Sequence, residues 1–184
     1  DEPEPVIQGW MNNWAYAADI PADGFRGSMT LPRRLSLRER PSGLRLVQQV
    51  VAADAPPVHE AEHLRIDGRW RVPVDVLAAR VSLELEFGSA TRAGLDVRVG
   101  DAGERTRIVV DRDARTISLD RTSSGEAGFH EGFAAVHTAS LPVADPQDEA
   151  AIGAEVVRLD VFVDVSSVEL LAADGEVALT DLVF

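Results

Sequence analysis

Val81-Ser82-Leu83-Glu84-Leu85-Glu86-Phe87 alternates apolar and polar residues without a break. A strand sends successive side chains to opposite faces, so Val81, Leu83, Leu85 and Phe87 share one face while Ser82, Glu84 and Glu86 take the other. The same period of two returns in Leu95-Asp96-Val97-Arg98-Val99, in Thr116-Ile117-Ser118-Leu119-Asp120 and in Leu159-Asp160-Val161-Phe162-Val163-Asp164-Val165. One apolar and one wet face per strand is the pattern of antiparallel sheets. Turn formers separate these segments at short intervals: Gly88-Ser89, Gly100-Asp101-Ala102-Gly103, Asp111-Arg112-Asp113, Ser124-Gly125 and Asp174-Gly175. Short strands with frequent turns predict a β-sandwich from Val72 to Phe184, with Phe87, Phe129, Phe133 and Phe162 in its core. Its last hairpin is expected to pair Val168-Glu169-Leu170 with Val177-Ala178-Leu179 across Asp174-Gly175.

Towards the N-terminus the organisation changes. Strand-like segments at Val6 to Trp14, Ser28 to Arg38 and Leu44 to Val51 are joined by Pro21-Ala22-Asp23-Gly24 and Pro41-Ser42-Gly43. They predict three or four strands in a meander forming one sheet, whose second apolar face has no partner of its own. Ala52 to Trp70, which contains Pro56-Pro57, is expected to be a connection with a helical turn near His59 to Leu64. The whole chain is expected to be all-β.

Composition excludes several function classes. The 184 residues carry 31 acidic and 18 basic side chains, a net charge of -13, and every basic residue is Arg. That balance opposes binding to nucleic-acid phosphates or to an anionic membrane surface. No apolar run approaches the ~18 residues of a membrane-spanning helix. With no Cys in the chain, disulfides, thiolate metal sites and cysteine nucleophiles are absent together. No basic start followed by an apolar stretch opens the sequence, so no signal peptide is expected; the compartment stays undetermined, with an extracellular, secreted location favoured over a cytoplasmic one.

Side chains able to carry chemistry are few. Cleavage of a glycosidic bond needs two carboxylates about 5–9.5 Å apart. The acidic residues here fall mostly in turns or on outward strand positions, and no pair stands out. His59 and His63 stand four apart and would share a face if helical, but no third ligand accompanies them, so no metal site is expected. Ser123 and Ser124 lie in no nucleophile-elbow context and no Gly-rich phosphate loop occurs, so no cofactor is expected. The positive signal is Gly9-Trp10-Met11-Asn12-Asn13-Trp14-Ala15-Tyr16. On an extended strand Trp10, Trp14 and Tyr16 face one side with Asn12 in phase, and Asn13 faces the other. Aromatic faces beside amides suit a sugar, whose C–H patches pack on the rings and whose hydroxyls bond the amides. From spacing alone, these rings read first as the core of the first sheet.

Gly9 to Tyr16, then Pro21, then Phe25-Arg26-Gly27-Ser28-Met29-Thr30-Leu31-Pro32-Arg33-Arg34-Leu35 resembles the last propeller blade of glycoside hydrolase family 32, the invertases, levanases and inulinases. Ser118-Leu119-Asp120-Arg121-Thr122-Ser123-Ser124-Gly125 and Leu159 to Glu169, with Asp174-Gly175 and Phe184, are similar to that family's C-terminal sandwich. The resemblance implies residues 1–55 as the last blade of a five-bladed β-propeller, 56–71 as a linker and 72–184 as the C-terminal β-sandwich. It implies Trp14 as a wall of the pocket that holds a terminal fructosyl unit, with Trp10 and Asn13 as neighbours and Tyr16 as a support. The family's nucleophile motif W-M-N-D-P-N-G is mimicked by Trp10-Met11-Asn12-Asn13, but Asn stands at the Asp position and Trp-Ala-Tyr replaces Pro-Asn-Gly. Arg112-Asp113 is followed by Ala114 rather than Pro, and no Cys follows any Glu. The catalytic residues of such an enzyme therefore belong to earlier blades, and this chain alone is expected to be inactive. Phe25 stands where Trp is usual and Leu171 where an aromatic often follows. Asp120-Arg121 is expected to be a structural ion pair or turn.

The resemblance makes the chain the C-terminal part of a retaining β-fructosidase acting on sucrose, levan or inulin-type fructans. Its expected partners are a fructose-containing oligo- or polysaccharide, the N-terminal propeller portion of the same protein and a second copy through the sandwich. The alternative is a free-standing, lectin-like fructan-binding module.

Overall fold

A computed structural model describes residues 4–51, 56–142 and 156–184; residues 52–55, where the expected connection starts, lie outside them. The chain is all-β. Two four-stranded antiparallel sheets build the sandwich. One has the order β10-β9-β8-β7, from β7 (Arg92–Val97), β8 (Arg105–Asp111), β9 (Thr116–Ser123) and β10 (Val136–Ser140). The other has the order β13-β12-β11-β6, from β6 (Ala79–Glu86), β11 (Val156–Val163), β12 (Ser167–Ala172) and β13 (Val177–Leu182). The first paired residue of this unit is Ala79; residues 72–78 form no regular structure.

The alternation read in the sequence is the alternation of the faces. Ile108, Val110, Ile117 and Leu119 point inward from one sheet and meet Leu159, Val161, Val168 and Leu170 from the other, all nearly or fully buried. The turns fall where the sequence places them. At Asp111 the carboxylate accepts the Ala114 N–H at 2.8 Å, closing the β8–β9 hairpin. The last hairpin forms with a register two residues away from the one expected: Leu170 lies opposite Leu179 and Ala172 opposite Val177. The turn there consumes four residues, and Ala173, Asp174 and Gly175 all take positive φ. Phe162 is not core. It follows inward Val161, so it faces out, where the Arg80 guanidinium lies 5.3 Å from its ring centre. Phe129 is half-buried and, with Phe133, packs in a separate cluster described below.

The N-terminal unit is two ladders rather than one meander. β1 (Val6–Ile7), β4 (Arg33–Arg40) and β5 (Gly43–Val50) form one sheet, and β2 (Trp10–Met11) pairs with β3 (Ser28–Met29). The expected strand from Ser28 to Arg38 breaks between β3 and β4 around Pro32, which has no N–H to give to a ladder. Pairing of Leu37 with Leu46 and of Glu39 with Leu44 puts these leucines on one face of the blade. Leu37 and Leu44 are 66% and 67% exposed, an apolar face left open as the sequence predicts. Residues His59 to Leu64 form no helix, and His63 has φ 51°, so the two histidines do not share a helical face; His59 lies beside Trp70.

Blade and sandwich are joined through buried charge. β12 is buried along its whole length because one face lines the sandwich core and the other, with Ser167, Glu169 and Leu171, is covered by the blade. Glu169 accepts the Leu31 N–H at 2.7 Å and pairs with Arg33, whose guanidinium also bonds Gln48 and Thr180. Glu176, the last residue of that turn, accepts Arg38 at 2.9 Å and Arg40 at 2.6 Å. Gly175 is required here: a Cβ would stand 2.1 Å from the Gln48 carbonyl oxygen.

Candidate functional site

The motif Gly9 to Tyr16 starts as a strand and does not continue as one. β2 ends at Met11, and the Tyr16 N–H closes a turn onto the Asn13 carbonyl at 3.1 Å. The cause is local. The Asn12 side-chain oxygen accepts the Asn13 N–H at 2.8 Å, and the Asn13 side-chain oxygen accepts the Ala15 N–H at 2.9 Å, so two amides supply the bonds a ladder would have made. Trp10, Trp14 and Tyr16 therefore do not share one side. Trp10 and Trp14 stay together, with ring centres 4.9 Å apart and planes tilted by 53°, because the turn folds Trp14 back beside Trp10. Tyr16 goes the other way, into the junction.

That division is what positions the site. Met11, Tyr16 and Ile20 pack against Ala127, Phe133 and Leu182 of the sandwich, with Phe129 and Phe184 alongside. Tyr16 stands edge-on to Phe133, centres 5.5 Å apart, in a favoured aromatic geometry. With the turn anchored by this cluster, Trp14 projects outward and is 88% exposed, while Trp10 is 39% exposed. The Trp10 indole N–H donates to the Arg26 carbonyl at 3.1 Å, and the Asn12 amide donates to the same oxygen at 3.2 Å. Gly27 makes this possible. Its φ is +97°, and a Cβ there would stand 2.8 Å from the Asn12 Cβ and 2.9 Å from the Trp10 Nε1.

Beneath the turn lies Arg121. It pairs with Asp181 at 3.3 Å rather than with its neighbour Asp120, whose carboxylate caps the Thr122 N–H and hydroxyl. Its guanidinium also donates to the Phe133 and Leu182 carbonyls and to the Tyr16 hydroxyl at 3.0 Å, and it lies 4.1 Å over the Phe133 ring. Burial pushes the Asp181 carboxyl above its ordinary range; Arg121 and then the hydrogen-bonded His137 pull it back. His137 Nδ1 lies 2.8 Å from that carboxylate. A cavity of about 280 Å³ opens between the turn and β13, walled by Trp10, Asn13, His137, Thr180 and Asp181.

The sequence expectations missed these buried charges. Glu169 and Asp181 sit within apolar runs, Val168 to Ala172 and Leu179 to Val183. A charge inside such a run is the available signal, since it must be paired when both faces are covered. Among the described residues no cluster of three or more His, Asp or Glu side chains is arranged to hold a metal ion, and no helix is long and apolar enough to cross a membrane.

Comparison with known proteins agrees with this architecture. The family model for the C-terminal domain of glycosyl hydrolases family 32 matches residues 46–184, and that for the family's N-terminal domain matches residues 1–50. The chain is 32% identical to a levanase of Bacillus subtilis over 95% of its own length and 26% of the levanase. It is 33% identical to an extracellular exo-inulinase of Aspergillus awamori over 96% of its length and 33% of that enzyme. It thus spans a third or less of these curated relatives. In three dimensions it superposes on the A. awamori exo-inulinase with a TM-score of 0.73 at 28% identity, covering 98% of this chain and 35% of that one. On a fructofuranosidase of Schwanniomyces occidentalis complexed with fructosylnystose the TM-score is 0.78 at 20% identity, a likeness of fold covering 100% of this chain and 40% of that one. A blade closed by a paired-amide turn, clamped onto a sandwich and matched along the chain by both family models, places this chain in glycosyl hydrolase family 32, as its C-terminal part.

Proposed function

We propose that the chain is the C-terminal part of a retaining β-fructosidase that hydrolyses sucrose, levan or inulin-type fructans. The observation that carries this is the outward Trp14 beside Trp10 on a turn locked to the sandwich, in a chain whose relatives include levanase and exo-inulinase. In this reading Trp14 packs against the apolar face of a terminal fructosyl unit, Trp10 continues the wall, and the Asn13 amide is offered to a hydroxyl. The nucleophile and the acid/base carboxylate come from upstream blades, where a fructosyl ester forms and water then releases fructose. The chain itself supplies wall and scaffold.

The open leucine face of the blade supports the upstream propeller as the covering partner, since exposed apolar patches of this kind mark an interface. We take residues 1–55 as blade, 56–71 as linker and 72–184 as sandwich, with a second copy of the chain as a further partner on the sandwich. An extracellular location follows the exo-inulinase relative. The test is fructose release from sucrose, levan and inulin by the longer protein and by the 184-residue chain. Release by the longer protein and none by the chain is the expected result; a longer protein inert on all three sinks the reading. Binding of fructan by the chain independent of Trp14 would favour a lectin-like module instead.

A further inference from the structure

Trp10 touches the exposed Trp14 and also lines the cavity between the turn and β13. We propose that this cavity is a second saccharide subsite, taking one further sugar unit of a chain whose end lies against Trp14. The inference rests on the fructosidase reading and extends it to the sandwich.

The lining is chemically suited to an uncharged polyol. Trp10 gives an aromatic wall, and Asn13, His137 and Thr180 give polar ones. Recognition of hydroxyls needs donors and acceptors held in place and not already engaged. Among the described residues the Asn13 side-chain N–H groups make no hydrogen bond, since only its oxygen is used, toward Ala15. His137 engages one ring nitrogen with Asp181, which leaves Nε2 unused. The Asp181 carboxylate is itself nearly inaccessible, 2% exposed, and fixed by Arg121, so the imidazole it holds is pinned rather than free to turn. The Tyr16 oxygen accepts from Arg121, and its own proton remains to donate.

Charge selects the ligand class. Among the described residues the guanidinium at the cavity is that of Arg121; it is consumed by Asp181, two carbonyls and the Tyr16 hydroxyl, and Arg121 and Asp181 neutralise each other. Among the described residues that line the cavity no unpaired guanidinium remains to meet a phosphate, and no bare carboxylate to meet an amine or metal. At about 280 Å³ the space falls just below the ~300–1,000 Å³ of pockets for drug-sized ligands, which suits a single sugar unit. Its lining comes from both the blade and the sandwich, so the subsite exists only while the two are docked.

The test uses the 184-residue chain, isotopically labelled at histidine, titrated with fructose and with fructosylnystose. The His137 imidazole signals are expected to move with fructosylnystose, and His137→Ala to weaken its binding about tenfold while fructose binding stays within twofold. His137→Gln, whose amide reaches about as far as the imidazole Nε2, guards against a folding defect and should recover part of the affinity. Unmoved His137 signals, or equal fructosylnystose affinity in the wild type and both variants, overturns the subsite. If in that case Trp14→Ala still weakens both ligands, only the cavity assignment fails; if Trp14→Ala also changes nothing, the reading of the Trp14 wall fails with it.

Discussion

Replacing the buried Glu169 by Ala should cost far more than replacing an exposed carboxylate of the sandwich. Its side chain is 3% exposed and that of Arg33 is 8% exposed, so both charges are out of water. Truncation leaves the Arg33 charge buried without its carboxylate and strips the Leu31 N–H of its acceptor. Breaking a buried pair by removing one partner costs about 3–5 kcal/mol. With a urea slope of about 2 kcal/mol/M for a chain of this size, the midpoint should fall by about 2 M. Glu84→Ala is the control: it pairs with Arg158 across exposed positions, 64% and 51% accessible, and should cost under about 1 kcal/mol. Combining Glu169→Leu with Arg33→Met should recover most of the loss, because two apolar groups leave no stranded charge. A Glu169→Ala midpoint indistinguishable from that of Glu84→Ala would refute the claim that the blade is held by buried charge.

Other expectations follow from the same geometry. Gly27→Ala places a Cβ against Asn12 and Trp10 at a positive φ and should cost about 1–3 kcal/mol, with a change in tryptophan emission as the Trp10–Trp14 contact shifts. The Arg107 hydrogen bond holds the Asp96 carboxyl below its ordinary value, so its contribution is complete above about pH 4 and is lost as pH falls through the lowered value. Asp96→Asn should therefore flatten part of the acid limb of a stability-against-pH curve and leave its neutral shape unchanged; an unaltered acid limb contradicts the assignment. Leu37→Ser with Leu46→Ser should reduce self-association of the isolated chain in sedimentation, since both open onto the uncovered blade face.

The sandwich was legible because burial on one face imposes a period of two, and Val81 to Phe87 or Thr116 to Asp120 carry it without interruption. Legibility failed where a second layer covers the other face. Glu169 looks like an outward residue of an alternating strand, and only the blade folded over β12 reveals it as a buried clamp. The aromatic turn failed for another reason: Asn12 and Asn13 offer the backbone side-chain bonds that compete with a ladder, so Trp14 and Tyr16 part company where pure alternation would keep them together. Trp14 and Trp10 stand out by residue type; Arg121, Asp181 and His137 come from strands remote in sequence, and only the fold brings them beneath the turn.

The most direct measurement is the kcat/KM for fructose release by the longer protein with Trp14→Ala. Trp14 is nearly fully exposed and its ring contact is with the part-exposed Trp10, so its loss should leave the melting temperature within about 2 °C. If it walls the fructosyl pocket, kcat/KM on sucrose, levan or inulin should fall at least about tenfold, equivalent to roughly 1.4 kcal/mol of transition-state stabilisation. A folded variant with kcat/KM within twofold of the wild type would contradict the assignment of this turn to the substrate pocket.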